Sequence, residues 1–357
     1  MPTTAGRTPR HAYRTTVGRT AVAALAALLP LGAGLLTAMP AAAAHASSAI
    51  TNRPHLAAGP SSVAPYVDMG ESDESMLDTA ISSDGLTSYT AAFIIGEGCS
   101  QEWGDTEPVG NDPYIDPEIA KAKSEGASVI ISSGGADGYS IPWTCTDQST
   151  IDSALQSIIT DYGTNELDFD IEGAAVADTA SATRLFTAMN DLKASNPGLQ
   201  FSVTLPVLPT GLDNYGVGIV QAAANVGVKI DIVNIMAMDY YQGDQEMGTA
   251  AINAAQATLA QLQSIDPSYT YANIGITPMI GVNDDGSTFT LADAQSVQSW
   301  ATSNGIGRLS FWSLTRDQSC GGSASNAIAK PMAPASSPTC SGVSQDPLAF
   351  TSAFVAS

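Results

Sequence analysis

The chain of 357 residues carries 13 lysines and arginines against 35 aspartates and glutamates, a formal net charge of -22, with three histidines and four cysteines. So acidic a surface repels nucleic acid and anionic membranes at long range and leaves neutral or cationic partners. With 44% hydrophobic residues it has the material for one sizeable core, and its length allows one large domain or two.

Residues 1–46 read as a secretory signal peptide. Arg7, Arg10, Arg14 and Arg19 make a positive n-region, Ala21 to Leu36 is an apolar stretch broken by Pro30, and Ala44-His45-Ala46 is an A-x-A cleavage site before Ser47. A membrane anchor, which needs about 20 apolar residues, is the alternative, and Pro30 and the Ala-rich end count against it. Cleavage leaves nine basic residues against 35 acidic ones, a net charge of -26, and a mature chain expected to be secreted, extracellular, free of the membrane and monomeric. It also removes His11 and His45, leaving His55 alone. A Ser-His-Asp or Cys-His hydrolase needs a positioned imidazole and a histidine-rich zinc site needs several, so both classes are excluded. Cys99, Cys145, Cys320 and Cys340 contain no C-x-x-C pair and in a secreted chain read as two disulfides. Three pairings are open; Cys99 with Cys145 and Cys320 with Cys340 is favoured because each pair flanks one loop-rich stretch.

Residues 47–62 form a polar leader. From Val63 onward, short β-branched or apolar runs alternate with longer Ala-rich stretches of helical period. In chain order the pattern predicts a strand at Val63 to Met69, a helix at Glu74 to Ile81, a strand at Tyr89 to Ile95 and a helix at Pro117 to Ser124. Ser128 to Ser132, a helix at Thr150 to Tyr162, Leu167 to Ile171 and a helix at Ala177 to Ala194 follow. Gln200 to Leu205, a helix at Tyr215 to Val226, Ile232 to Ala237 and a helix at Gly248 to Ser264 come next. Asn273 to Thr277, a helix at Leu291 to Ser303 and Arg308 to Trp312 complete the alternation. Asp178 before one helix, and Asn196-Pro197-Gly198 and Asn304-Gly305 after others, are end signals. Eight strands alternating with helices predict an α/β chain folded as a (β/α)8 TIM barrel in a single domain, residues 63–357. Lys330 to Ser341 reads as a loop clipped by the last disulfide, and Pro347 to Ala356 as a closing helix.

The chemistry concentrates in Leu167-Asp168-Phe169-Asp170-Ile171-Glu172-Gly173. Alternate residues of a strand share a face at about 6 to 7 Å spacing, so Asp168, Asp170 and Glu172 point into the barrel while Leu167, Phe169 and Ile171 pack under helices. Like charges crowded away from water cannot all ionise, so at least one carboxyl holds its proton near neutral pH. That is what glycoside hydrolysis asks of its general acid, and Glu172, nearest the strand's C-terminal end, is the candidate. An EF-hand reading of D-x-D-x-E-G fails because Val176 and Thr179 fill the ninth and twelfth positions. A purely structural acidic cluster is the blander alternative.

Asp168-Phe169-Asp170-Ile171-Glu172 resembles the D-x-D-x-E core of glycoside hydrolase family 18, which contains chitinases and endo-β-N-acetylglucosaminidases. Ser132-Ser133-Gly134-Gly135 matches the family's S-x-G-G, Asn234-Ile235-Met236-Ala237-Met238-Asp239-Tyr240 resembles its sixth-strand segment, and Phe311-Trp312-Ser313 sits where its last strand places a tryptophan. The match is closest to bacterial and archaeal chitinases with D-F-D-I-E. The family's motif begins D-G, where this chain has Asn165 and Glu166, and its sixth-strand segment often reads Tyr-Asp where this one reads Met-Asp-Tyr.

The resemblance implies hydrolysis of chitin or N-acetylglucosamine oligosaccharides, with the substrate's 2-acetamido carbonyl as nucleophile and no metal or cofactor. Glu172 would protonate the leaving oxygen and then activate water, Asp170 would orient the acetamide, and Asp168 would hold Asp170 through a shared proton. Tyr240 or Met238, with Asp239, would meet the N-acetyl group, and Met236 would share that side. Trp312 is the expected sugar platform. Trp103 and Trp143, in loops after the second and third strands, are candidates for the same cleft, the other reading being packing near the Cys99–Cys145 disulfide. Trp300 reads as core. Action on N-glycans, or chitin binding without hydrolysis, are the alternatives that the same motifs leave open.

Overall fold

The computed structural model describes residues 62–70, 74–104, 107–243, 245–321 and 336–356. The expected signal peptide, His55 and all of the leader except Ser62 lie outside them, as does residue range 330–335 of the expected C-terminal loop. Parallel strands coincide with all eight expected runs. They are β1 (the segments Ser62–Val63 and Tyr66–Asp68), β2 (Ser88–Glu97), β3 (Ser128–Gly134), β4 (Glu166–Asp170), β5 (Gln200–Pro206), β6 (Ile232–Met236), β7 (Ile274–Thr277) and β8 (Arg308–Leu309). They pair in chain order from β2 to β8. Both edges of β1 are bonded, Tyr66 opposite Thr90 of β2 and Ser62 opposite Arg308 of β8, with the Tyr66 amide donating to the Phe311 carbonyl at 3.0 Å. The architecture is thus α/β, built on a curled parallel sheet.

Each expected helix is present. Asp178 accepts from the Ala180 and Ser181 amides to start Thr179–Ser195, and Gly305 in the left-handed region (φ 67°) ends Leu291–Asn304, which opens with a Thr290/Asp293 capping box. The apolar alternates of β4 face outward: Leu167 and Phe169 are each 1% exposed and belong to the core between sheet and helices, where Phe186 meets Phe201 at 6.2 Å. The short closing helix is Ala349–Val355, anchored by buried Asp317, which accepts from the Phe350 and Thr351 amides at 3.0 and 2.7 Å. Elements too short for a periodicity also form: an antiparallel flap, Ser100–Trp103 against the end of β2 and Glu107–Pro108, the short helix Ile141–Thr144, and a two-stranded pair, Gly281–Val282 with Thr288–Phe289.

The favoured cysteine pairing is the one present, Cys99–Cys145 and Cys320–Cys340, with no cysteine left free. Among the described residues no helix is long and apolar enough to cross a membrane.

Candidate active site

Register places the site before any side chain is considered. Asp168 lies opposite Ser132 of β3 and Ser202 of β5, and Asp170 opposite Gly134 and Thr204. Asp168 is therefore wholly buried among hydroxyls. Its Oδ2 accepts from Tyr66 Oη at 2.8 Å and Ser132 Oγ at 2.7 Å, and its Oδ1 from Thr204 Oγ1 at 2.9 Å and from Ser202 Oγ. Behind these donors, Asn234 Nδ2 donates to Tyr66 Oη and Thr204 Oγ1, which also share a hydrogen bond of 2.8 Å with each other, and Asn234 Oδ1 in turn accepts from Thr277 Oγ1 at 2.8 Å. Burial, with Asp168 and Asp170 beside it, holds the Tyr66 phenol well above its usual range, so it stays a donor.

This differs from the shared proton expected between Asp168 and Asp170. All four hydrogen bonds to Asp168 come from hydroxyls, and Asp170, 8% exposed, keeps Oδ1 buried with no partner. Burial first, then the charges of Glu172 and Asp168, push the Asp170 carboxyl well up. Glu172 follows the strand in extended backbone (φ -124°, ψ 170°), at the start of the turn Gly173–Ala177, so it continues the inward alternation of Asp168 and Asp170. Its carboxyl is pushed up to about 7, by burial first and then by the charges of Asp137 and Asp239. The cluster thus holds Asp168, bound by four hydroxyls, beneath two carboxyls whose proton affinity is raised.

Asp170 and Glu172 face a chamber walled by Tyr66, Phe93, Met236, Met238, Met279 and Trp312. It opens on one side past Asp68, Ile95 and Asp137, and on the other past Leu208, Asp213, Tyr240 and Tyr241. Trp312, half-buried, stacks on Phe93 with centroids 5.7 Å apart and planes 16° from parallel. Asp239, at φ 48°, lines both the chamber and the second opening and accepts from the Asp285 amide at 3.1 Å. Tyr240 borders that opening with its Oη buried and unpartnered.

Two expected cleft residues lie elsewhere. Trp103 is 2% exposed, and its indole Nε1 donates to Tyr162 Oη at 2.6 Å, because the flap strand that carries it turns it toward the helix Gln148–Tyr162. Trp143 spends its Nε1 on the Ala175 carbonyl at 3.1 Å and borders none of the three spaces. Trp300 packs edge-on against Tyr271 at 5.3 Å. Tyr66, Phe93, Thr204, Met279, Asp137 and the 75%-exposed Tyr241 went unselected in the sequence, although Tyr66 and Thr204 carry a readable signal: a polar group on the inward alternate of an otherwise apolar strand. Among the described residues no group of three or more His, Cys, Asp or Glu could hold a metal ion.

No family model matches the chain. A probable bifunctional chitinase/lysozyme of Escherichia coli (strain K12) is 32% identical over 276 residues, 71% of this chain but only 30% of that relative's length. The catalytic domain of a hyperthermophilic chitinase from Pyrococcus furiosus superposes with a TM-score of 0.73 at 33% identity, over 83% of this chain and 94% of that one. A GH18 chitinase from Pseudoalteromonas aurantia shares the fold, with a TM-score of 0.52 at 15% identity over 71% of this chain and 94% of that one. With an archaeal chitinase domain matched almost end to end, and the D-F-D-I-E segment on the strand that floors the chamber, the chain belongs to glycoside hydrolase family 18, the chitinase family.

Proposed function

We propose that the protein is a secreted chitinase that cleaves β-1,4 linkages between N-acetylglucosamine units with retention of configuration, on a fully closed (β/α)8 barrel. The observation that carries this reading is the position of Glu172 beside Asp170 in the wall of the chamber, where burial and the charges of Asp137 and Asp239 push its carboxyl up to about 7. The two sit two residues apart on one strand and its extension, beside each other and not across a scissile bond, so neither is placed for in-line attack while the other protonates. The nucleophile is then the substrate's own acetamido oxygen.

In the first step Glu172 gives its proton to the glycosidic oxygen as the bond from that oxygen to C1 breaks and the acetamido oxygen bonds to C1, forming an oxazolinium ion. Asp170, with an unpartnered buried oxygen, accepts the acetamide N–H, and Tyr240 Oη, equally unpartnered, is the donor suited to the acetamide oxygen. In the second step Glu172 takes a proton from water as the water oxygen bonds to C1 and the bond from C1 to the acetamido oxygen breaks, which regenerates the acetamide and the acid and restores the original anomer. Asp168 holds the floor rigid, Met236, Met238 and Met279 give the N-acetyl methyl an apolar surround, Asp239 sustains the proton on Glu172, and Trp312 offers its face to the pyranose C–H groups. The scheme uses neither metal nor cofactor.

The test is a comparison of substrates. Oligomers of N-acetylglucosamine should be cleaved with retained products, and a thiazoline analogue of the cyclised intermediate should inhibit. Cellulose oligomers and fully deacetylated chitosan, which lack the carbonyl, should be inert. Cleavage of cellulose oligomers at a similar rate, or a glycosyl adduct on Asp170, would overturn the mechanism. Release of glycan from a high-mannose glycopeptide in preference to chitin would move the substrate to N-glycans.

A further inference from the structure

The carboxylate column does not end at Asp168. Glu166, Asp168 and Asp170 are successive alternates of β4, and at the foot of the column lies Arg308, the first residue of β8 and 4% exposed. Its Nη2 meets Glu166 Oε2 at 3.0 Å, its Nη1 donates to Ser202 Oγ at 2.7 Å, and its Nε has no partner. Because Ser202 Oγ accepts from the guanidinium, its single proton is directed to Asp168 Oδ1. One hydroxyl therefore separates a buried cation from the wholly buried carboxylate under the catalytic pair. A guanidinium in a sheet interior is costly unless charge and hydrogen bonds compensate it, and the one carboxylate that pairs with it directly is itself 30% exposed. Glu166 stands where the motif of the resembling family has glycine, so this foot belongs to the present chain's own sequence.

We propose that Arg308, held by Glu166, is a positioning residue for catalysis: through Ser202 it fixes Asp168 as the hydrogen-bond acceptor beneath Asp170 and Glu172. The inference rests on the catalytic reading given above. The titratable and charged groups that face Asp168 are Tyr66 from β1, Glu166 and Asp170 on its own strand with Glu172 beyond, and Arg308 from β8; Ser132, Ser202, Thr204 and Asn234, from β3, β5 and β6, do not titrate.

The experiment is the pH profile of kcat/KM on an N-acetylglucosamine tetramer. Its acidic limb reports protonation of the column as a whole. Removing the cation in Arg308→Met makes the column easier to protonate, so the limb should rise by about one pH unit, and Arg308→Lys should restore most of it. Removing the anion in Glu166→Gln should move the same limb down. Opposite signs are the signature, because a salt bridge that merely plugs the end of the sheet would lower thermal stability in both variants and shift neither limb. Ser202→Ala, which keeps both charges and breaks the relay, should lower kcat about tenfold or more with KM changed little, and it carries the test if Arg308→Met does not fold. Limbs that stay in place, or move the same way in both charge variants, would overturn the proposal while the catalytic reading stands. A wild-type protein inert toward the tetramer would sink the catalytic reading, and this inference with it.

Discussion

Glu172 holds its proton through burial and through neighbours on both sides. Burial is the largest cause of its raised proton affinity, and Asp137 and Asp239 add to it from the chamber's margins. In the proposed mechanism Glu172 must donate its proton and is active below its pKa, so the basic limb of kcat/KM should fall near pH 7, as Glu172 loses its proton with rising pH. Asp137→Asn removes one raising charge, so that limb should move to lower pH; a limb that stays put would mean that Asp137 does not act on Glu172. Glu172→Gln keeps the shape and removes the transferable proton. Hydrolysis should drop by about a thousandfold or more while the fold, read by circular dichroism, and binding of the tetramer persist. The three acids were legible in the sequence because strand alternation alone puts them on one face. Their partners were not. Tyr66, Ser132, Ser202 and Thr204 converge on Asp168 from three other strands, and only the register, which the sequence does not state, brings them within hydrogen-bond reach.

Glycine at the end of β3 shows how strand pairing constrains the floor of the site. Gly134 has φ 113°, and a Cβ there would stand 2.1 Å from the carbonyl oxygen of Asp170. Gly134→Ala must therefore displace the backbone that carries Asp170. It should cut kcat at least tenfold and destabilise the protein by about 2 kcal/mol or more, measured by denaturant unfolding and by turnover of the tetramer. An alanine variant with normal turnover would show that Asp170 tolerates the shift. At this scale the eight strands and seven main helices were readable, because each is long enough for a period and most helices carry caps such as Asp178 or Gly305. The flap Ser100–Trp103 was not, since four residues without alternation have no period, and its turn is what takes Trp103 out of the cleft and against Tyr162. Trp312, at the end of β8, was readable because the strand before it fixes its direction.

The molecule as a whole is tied at two places, Cys99–Cys145 and Cys320–Cys340, and all four cysteines are used. Thiol titration of the denatured, unreduced protein should find no reactive group; two would show one bridge unformed, and four would show neither formed. The two bridges were only partly legible: the sequence allowed three pairings, and which one forms depends on the flap and the short helix Ile141–Thr144 coming together. Surroundings that keep such bridges formed also carry oxidants, and the site presents them with sulfur of another kind. Met236, Met238 and Met279 are thioethers at the wall of the chamber. Conversion to the sulfoxide would set a polar, chiral S=O where the proposed mechanism puts the acetamide methyl. Dilute peroxide should therefore abolish turnover while leaving both disulfides and the fold intact, a thiazoline inhibitor in the chamber should shield the enzyme, and methionine sulfoxide reductase should restore it. The chemistry that staples this protein from the outside would, one step further, switch it off from within.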